Sequence, residues 1–130
     1  MITPITMTDF EHDALTQKII GCCYTVHTSL GPGFIEKIYS KALQQQLRTQ
    51  GLTFESEKVF NVFFKEELVG QFRCDLFIEG KVIVELKSVT GFIPKLFQNQ
   101  LLSYLKASKI KTGLLINFGN TSCEVKRLSM

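Results

Sequence analysis

No hydrophobic run in the sequence approaches the roughly 20 apolar residues that a bilayer crossing needs, which excludes a spanning helix as the organising element. Asp9, Glu11 and Asp13 occupy the region where a signal peptide carries its apolar segment, so no membrane partner is expected and the cytoplasm is the expected compartment. The four cysteines, Cys22, Cys23, Cys74 and Cys123, lack zinc-type spacing. Three of them fall on predicted apolar faces, which suits buried free thiols in a reducing compartment and predicts no structural disulfide. Repeats, linkers and low-complexity segments are absent. Charge of one sign is scarce too: a net +3 permits nucleic-acid binding without demanding it. What remains is a chain of 130 residues, 45% hydrophobic and 21% charged, long enough for one domain over 1–130 with its own core.

Apolar periodicity gives the order helix, helix, three antiparallel strands, helix, two strands. Thr8 and Glu11 have capping-box spacing ahead of Leu15, Ile19, Cys22, Cys23, Val26 and Leu30, a stripe at helical spacing. His27 adjoins that stripe and reads as a packed or surface histidine rather than a ligand. Gly31-Pro32-Gly33 ends this helix, and Ile35, Ile38, Tyr39, Ala42 and Leu47 carry a second one to Gly51. Phe54 to Phe64 reads as a strand with Phe60, Val62 and Phe64 on one face, and Lys65-Glu66-Glu67 turns it into the next strand. After Gly91, Pro94 opens a third helix through Lys106, with a core stripe of Phe97, Leu101, Tyr104, Leu105 and Ser108. Thr112 to Phe118 is a continuous apolar run suited to a strand covered on both faces. Cys123 to Leu128 closes the sheet as an edge strand guarded by Lys126 and Arg127.

The chemistry should lie between residues 75 and 87. In the strand predicted over Val82–Val89, Val82, Val84 and Leu86 share one side and Ile83, Glu85 and Lys87 the other. Upstream, Cys74, Leu76 and Ile78 alternate with Arg73 and Asp75, which puts Asp75 on the polar face of its strand. A three-residue loop at 78–80 or 79–81 sets Asp75 and Glu85 on one face, whereas a two-residue turn would set Asp75 against apolar Val84. The two carboxylates then lie opposite or diagonal, with Cβ atoms about 5 to 8 Å apart. Like charges that close need strong solvation, a shared proton or a cation between them. A cation is the economical answer, and oxygen-only ligands favour Mg²⁺ or Mn²⁺ over zinc. Lys87 could orient a water or offset developing phosphate charge. The alternative is a solvated strand face on which Glu85 and Lys87 do nothing chemical.

Two further positions have two readings each. Glu36 lies in the first turn of the second helix, where the macrodipole favours an ionised carboxylate beside a metal or its water. With Gly33 at the N-cap it is equally an ordinary third-position residue. Gln100 and Tyr104 meet on one helix face. A glutamine among such apolar neighbours is either a core polar contact or a ligand to something outside.

Together these residues resemble the PD-(D/E)xK nuclease superfamily, and within it the small bacterial GxxExxY proteins, over nearly the whole chain. Gly33-Phe34-Ile35-Glu36-Lys37-Ile38-Tyr39 carries the naming motif. Asp75 with Glu85-Leu86-Lys87 looks like the D…ExK site, Gln100-Leu101-Leu102-Ser103-Tyr104 resembles a QxxxY element, and Gly113 to Gly119 resembles the characteristic later strand. The resemblance implies an α/β, restriction-endonuclease-like core, a central mixed sheet of about five strands flanked by helices. It also implies Mg²⁺- or Mn²⁺-dependent phosphodiester hydrolysis in nucleic acid, DNA foremost. Asp75 and Glu85 would be metal ligands with the Leu86 carbonyl as a third, Lys87 would position the water, and Glu36 would support the metal or water. Gln100, Tyr104 and Tyr39 would contact nucleic acid or the site. Two departures stand out: Phe97 where many relatives carry His, and Cys74 in place of the proline before the aspartate.

Two functions compete. One is a metal-dependent nuclease; the other is a nuclease-fold module that binds nucleic acid or a protein partner and cuts nothing. The small size points to a homodimer or a protein partner that supplements the grip on a long substrate.

Overall fold

Between Leu15 and Leu30 the apolar residues of the first element recur every three to four positions and therefore form one stripe. The structure, a computed structural model, describes residues 7–130, with side chains from Asp13 onward. The Thr8–Glu11 cap lies outside the described side chains. Helix α1 (Met7–Leu30) buries Leu15, Ile19, Cys22, Cys23 and Val26. It stops where Gly31 turns to φ +68°, a left-handed backbone that glycine adopts without steric cost, and donates its N–H to the His27 carbonyl.

Helix α2 (Glu36–Thr49) begins later than its glycines suggest. Ile35, not Gly33, is the N-cap, it makes no side-chain cap bond, and Glu36 is the first helical residue rather than the third. The cause is Tyr39, whose hydroxyl donates to the Gly31 carbonyl at 2.5 Å and accepts the Phe34 N–H at 3.2 Å. That pair of bonds holds the chain extended up to Ile35. The buried stripe is consequently Tyr39, Leu43 and Leu47, while Ile35 and Ile38, expected in the core, are exposed.

Strands β1 (Phe54–Phe64) and β2 (Glu67–Ile78) form a long antiparallel hairpin, turned by Lys65 and Glu66 at positive φ. A register shift between Val62 and Phe63 breaks the alternation, so Phe64 is exposed while Phe60 and Val62 are half-buried. Strand β3 (Val82–Lys87) pairs antiparallel with β2, and β4 (Thr112–Asn117) lies parallel to β3. A parallel step needs a crossover, supplied here by α3 (Lys95–Ser108). Strand β5 (Glu124–Ser129) closes a mixed sheet of order β1-β2-β3-β4-β5.

Strict alternation in β3 and β4 divides the interior. Val82, Val84, Leu86, Leu114 and Ile116 meet α1 and α2 in the larger cluster, and Ile83 and Leu115 meet Leu101 and Leu105 of α3 in the smaller. Gly113 lets α3 pack close there, because a Cβ would lie 3.0 Å from the Leu101 side chain. The third strand ends at Lys87 rather than Val89 because side chains take over its ladder. Asn117 bonds both the N–H and the carbonyl of Val89 at 2.9 Å, and Asn120 does the same for Gly91 at 2.8 Å. His27 is buried, with Nε2 2.9 Å from the Asn120 carbonyl, as a packed histidine. All four cysteines are buried and free. Among the described residues, no helix is long and apolar enough to cross a membrane.

Candidate active site

The hairpin loop covers residues 79–81, one of the two loop positions that place Asp75 opposite Glu85. Pairing of β2 with β3 stops at Leu76↔Val84, one step short of them. There the Asp75 side chain replaces the backbone: its Oδ2 accepts the Leu86 N–H at 2.7 Å. On the other side of β2, the ladder with β1 holds Lys58↔Cys74 and Ser56↔Leu76 but skips Glu57, whose φ is +52°. Cys74 packs on the α3 side and Leu76 on the α1–α2 side with no single intervening residue pair to explain it by alternation alone. The regular alternation expected from Cys74 to Ile78 therefore fails at Asp75, where the strand is unpaired on both edges.

Glu85 is only 7% exposed, which removes the solvated-face alternative. Its Oε1 is fully buried without a hydrogen-bond partner. Burial pushes its carboxyl up to about 8, the neighbouring Asp75 charge and a hydrogen bond with Asp75 add to the rise, and the Lys87 charge opposes it. Lys87 is half-buried, with its Nζ 4.3 Å from the centre of the Phe97 ring.

Asp75 and Leu86 open into a cavity of about 440 Å³ that Glu36 also lines, so the first turn of α2 faces the same space. Glu36 does not complete a carboxylate triad: among the described residues, no three His, Cys, Asp or Glu side chains are grouped to hold a metal. Lys37, Ser40 and Lys41 line this cavity as well. Sequence reasoning passed over them, although Lys37 and Lys41 are one helical turn apart beside the motif glutamate.

Across the sheet, the Tyr104 ring stacks on Phe72 with centroids 4.0 Å apart. Its hydroxyl is raised by burial first and then by the charges of Glu85, Asp75 and Cys74, so it belongs to the same electrostatic neighbourhood. Burial, then Glu85 and Asp75, push the Cys74 thiol up to about 12. Gln100 is exposed, which rules out a core amide. Tyr39 is placed otherwise than expected of a nucleic-acid contact. It is completely buried, stacked on Phe118 with centroids 4.5 Å apart and 4° between planes, and its hydroxyl is spent on Gly31 and Phe34.

A splayed strand pair presenting two facing carboxylates and a lysine two residues on is matched by a comparison over almost the full length. The family model of the PD-(D/E)XK nuclease superfamily matches residues 13–128. The chain belongs to the PD-(D/E)XK nuclease superfamily. Its fold is likewise similar to the crystal structure of SSO0001, with a TM-score of 0.56 and 17% identity over 72% of this chain. The chain spans about half of that protein, 48% of its length. No curated protein matches the sequence.

PD-(D/E)XK nucleases typically use divalent metals, and the residues present fit one. The donors at the splayed strands are all oxygen, and the buried Oε1 of Glu85 is a lone-pair donor that nothing among the described residues satisfies. A buried carboxyl raised to about 8 is mostly protonated at neutral pH, and a cation beside it would favour the ionised form.

Proposed function

We propose that this PD-(D/E)XK protein is a divalent-metal-dependent nuclease, a GxxExxY-type enzyme that hydrolyses phosphodiester bonds in nucleic acid, DNA foremost. The observation that carries this reading is the buried Glu85 carboxylate beside Asp75, with one oxygen left without a partner among the described residues, where β2 and β3 part. Asp75, Glu85 and the Leu86 carbonyl would hold Mg²⁺ or Mn²⁺, the Leu86 carbonyl because a strand residue directs its N–H and C=O to the same edge, here toward Asp75. The bound cation would supply charge neutralisation and a water nucleophile at neutral pH.

The protein's own groups do the rest. Lys87 orients the attacking water and offsets charge building on the phosphate. Glu36, in the first turn of α2 at the cavity wall, supports that water rather than completing a ligand triad. Lys37 and Lys41 line the wall on which flanking phosphates would lie. Exposed Gln100 and the Tyr104 edge contact nucleic acid on the α3 side. Residues 1–130 form one nuclease-like domain that works in the cytoplasm, where buried free thiols remain reduced. A second copy or a protein partner extends its grip, because a cavity of about 440 Å³ spans few nucleotides.

Purified protein incubated with DNA and Mg²⁺ or Mn²⁺ should cleave, and Lys87→Ala should lose a hundredfold or more while retaining Mn²⁺ binding, on the order of one electrostatic donor removed. Cleavage by Lys87→Ala at the wild-type rate would remove this strand face from the chemistry. Binding of DNA without cleavage by the wild type would instead establish the non-cutting module.

A further inference from the structure

Phe97 stands where the resemblance leads one to expect a polar side chain, and the structure gives it a definite neighbour. Among the described residues, no carboxylate or other acceptor binds the Lys87 ammonium, which lies over the face of Phe97 at 4.3 Å from the ring centre. The ring is itself held. Phe97 lies in the first turn of α3, its N–H bonded to the Pro94 carbonyl at 3.0 Å, one turn before the fully buried Leu101. It packs against the cluster of Cys74, Phe77, Ile83 and Leu115. A helix fixed on the sheet thus carries an aromatic face to the end of β3.

An aromatic face attracts a cation without neutralising it. A carboxylate in that place would hold the lysine as well, but would cancel the charge needed at the phosphate. A lysine left in water would have to give up side-chain freedom on every productive encounter. We propose that Phe97 is a positioning residue for Lys87, holding the ammonium over its ring beside the Asp75–Glu85 pair so that charge and donors are preset for substrate. The inference rests on the nuclease reading above. Consistent with this placement, the Lys87 charge is felt at Glu85, where it counters the rise caused by burial.

Metal-free protein tests the contact independently of cleavage. In the NMR spectrum of the wild type, the Lys87 methylene protons nearest the ammonium should be displaced upfield by the Phe97 ring current. The displacement should vanish in Phe97→Leu, which keeps apolar bulk, and persist in Phe97→Tyr, which keeps the ring. Single-turnover DNA cleavage with Mn²⁺ should fall about three- to thirtyfold in Phe97→Leu, with Mn²⁺ and DNA affinity unchanged, and should recover in Phe97→Tyr. Lys87 protons without a ring-current displacement in the wild type would overturn the proposal at once. So would a Phe97→Leu protein that cuts like wild type, or a folded Phe97→Tyr protein that fails to recover. A wild type that shows the displacement but never cleaves would instead defeat the nuclease reading, and the positioning role with it.

Discussion

The two faces of the sheet are built to different ends. The α1–α2 face seals the larger apolar cluster, within which Tyr39 is spent on Gly31 and Phe34 and His27 on Asn120, and the cavity walled by Glu36, Lys37 and Asp75 opens only at its edge. The α3 face has a smaller cluster and, at its margin, charged groups the fold leaves incompletely satisfied: Glu85 with one oxygen that lacks a partner among the described residues, and Lys87 over an aromatic ring. One face secures the strands so that the other can carry uncompensated charge at a fixed position. Removing a side chain from the first face should cost stability, and from the second should cost function or even increase stability.

The largest expected effect is on the sealed face. Tyr39→Ala removes a completely buried ring stacked on Phe118 and frees two backbone groups at the entry to α2. A loss of about 3 to 5 kcal/mol is expected from the cavity. Urea denaturation would measure it, with half-buried Tyr104→Ala as the comparison. Equal losses from the two tyrosines would erase the distinction between the faces.

Next is Glu85→Gln. Burial pushes the folded-state carboxyl up to about 8 from its ordinary 4.5, so the folded state binds the extra proton between those values. Stability of the metal-free protein therefore falls as pH rises from about 4.5 to about 8, by an amount on the order of a few kcal/mol. Glu85→Gln removes that titration. It should flatten the decline and leave the metal-free variant more stable than wild type at pH 8, while abolishing stabilisation by added Mn²⁺. Thermal melts across this range, with and without Mn²⁺, give the answer. A wild type whose stability rises through the window would mean that Glu85 ionises readily and is not the strained partner of Asp75.

Much of this division was legible in the residues. Period-two alternation in β3 separated Val82, Val84 and Leu86 from Ile83, Glu85 and Lys87, because a strand's faces follow from local geometry, and the hairpin loop fell at 79–81, one of the two expected positions. The element order followed from periodicity and turn residues for the same reason. Where bonds between distant residues decided, the sequence pattern misled. Nothing local indicates that Tyr39 will fasten Gly31 and delay α2, nor that Asn117 and Asn120 will end β3 by seizing Val89 and Gly91. The slip at Asp75 is of this kind too, since it depends on Glu57 leaving the ladder across from it. The tyrosine of the GFIEKIY motif therefore looks functional in sequence and is structural in space.

The smallest effect expected is at Gln100, the residue that sequence left divided between core and surface. Its exposure places it outside the apolar cluster although Leu101 beside it is completely buried, so no buried amide is lost on truncation. An unpaired buried amide would cost about 1 to 3 kcal/mol, whereas a surface position within a helix changes stability by about 0.5 kcal/mol or less. Gln100→Ala should therefore leave the urea midpoint nearly unchanged. If the amide reaches a strand bound across α3, one hydrogen bond of about 0.5 to 1.5 kcal/mol disappears, which weakens DNA binding roughly two- to tenfold. The α3 face would then differ from the sealed face in the sense argued here, with function lost where stability is kept. Stability lost with DNA binding intact would put Gln100 among the structural residues and confine substrate contact to the cavity lined by α2.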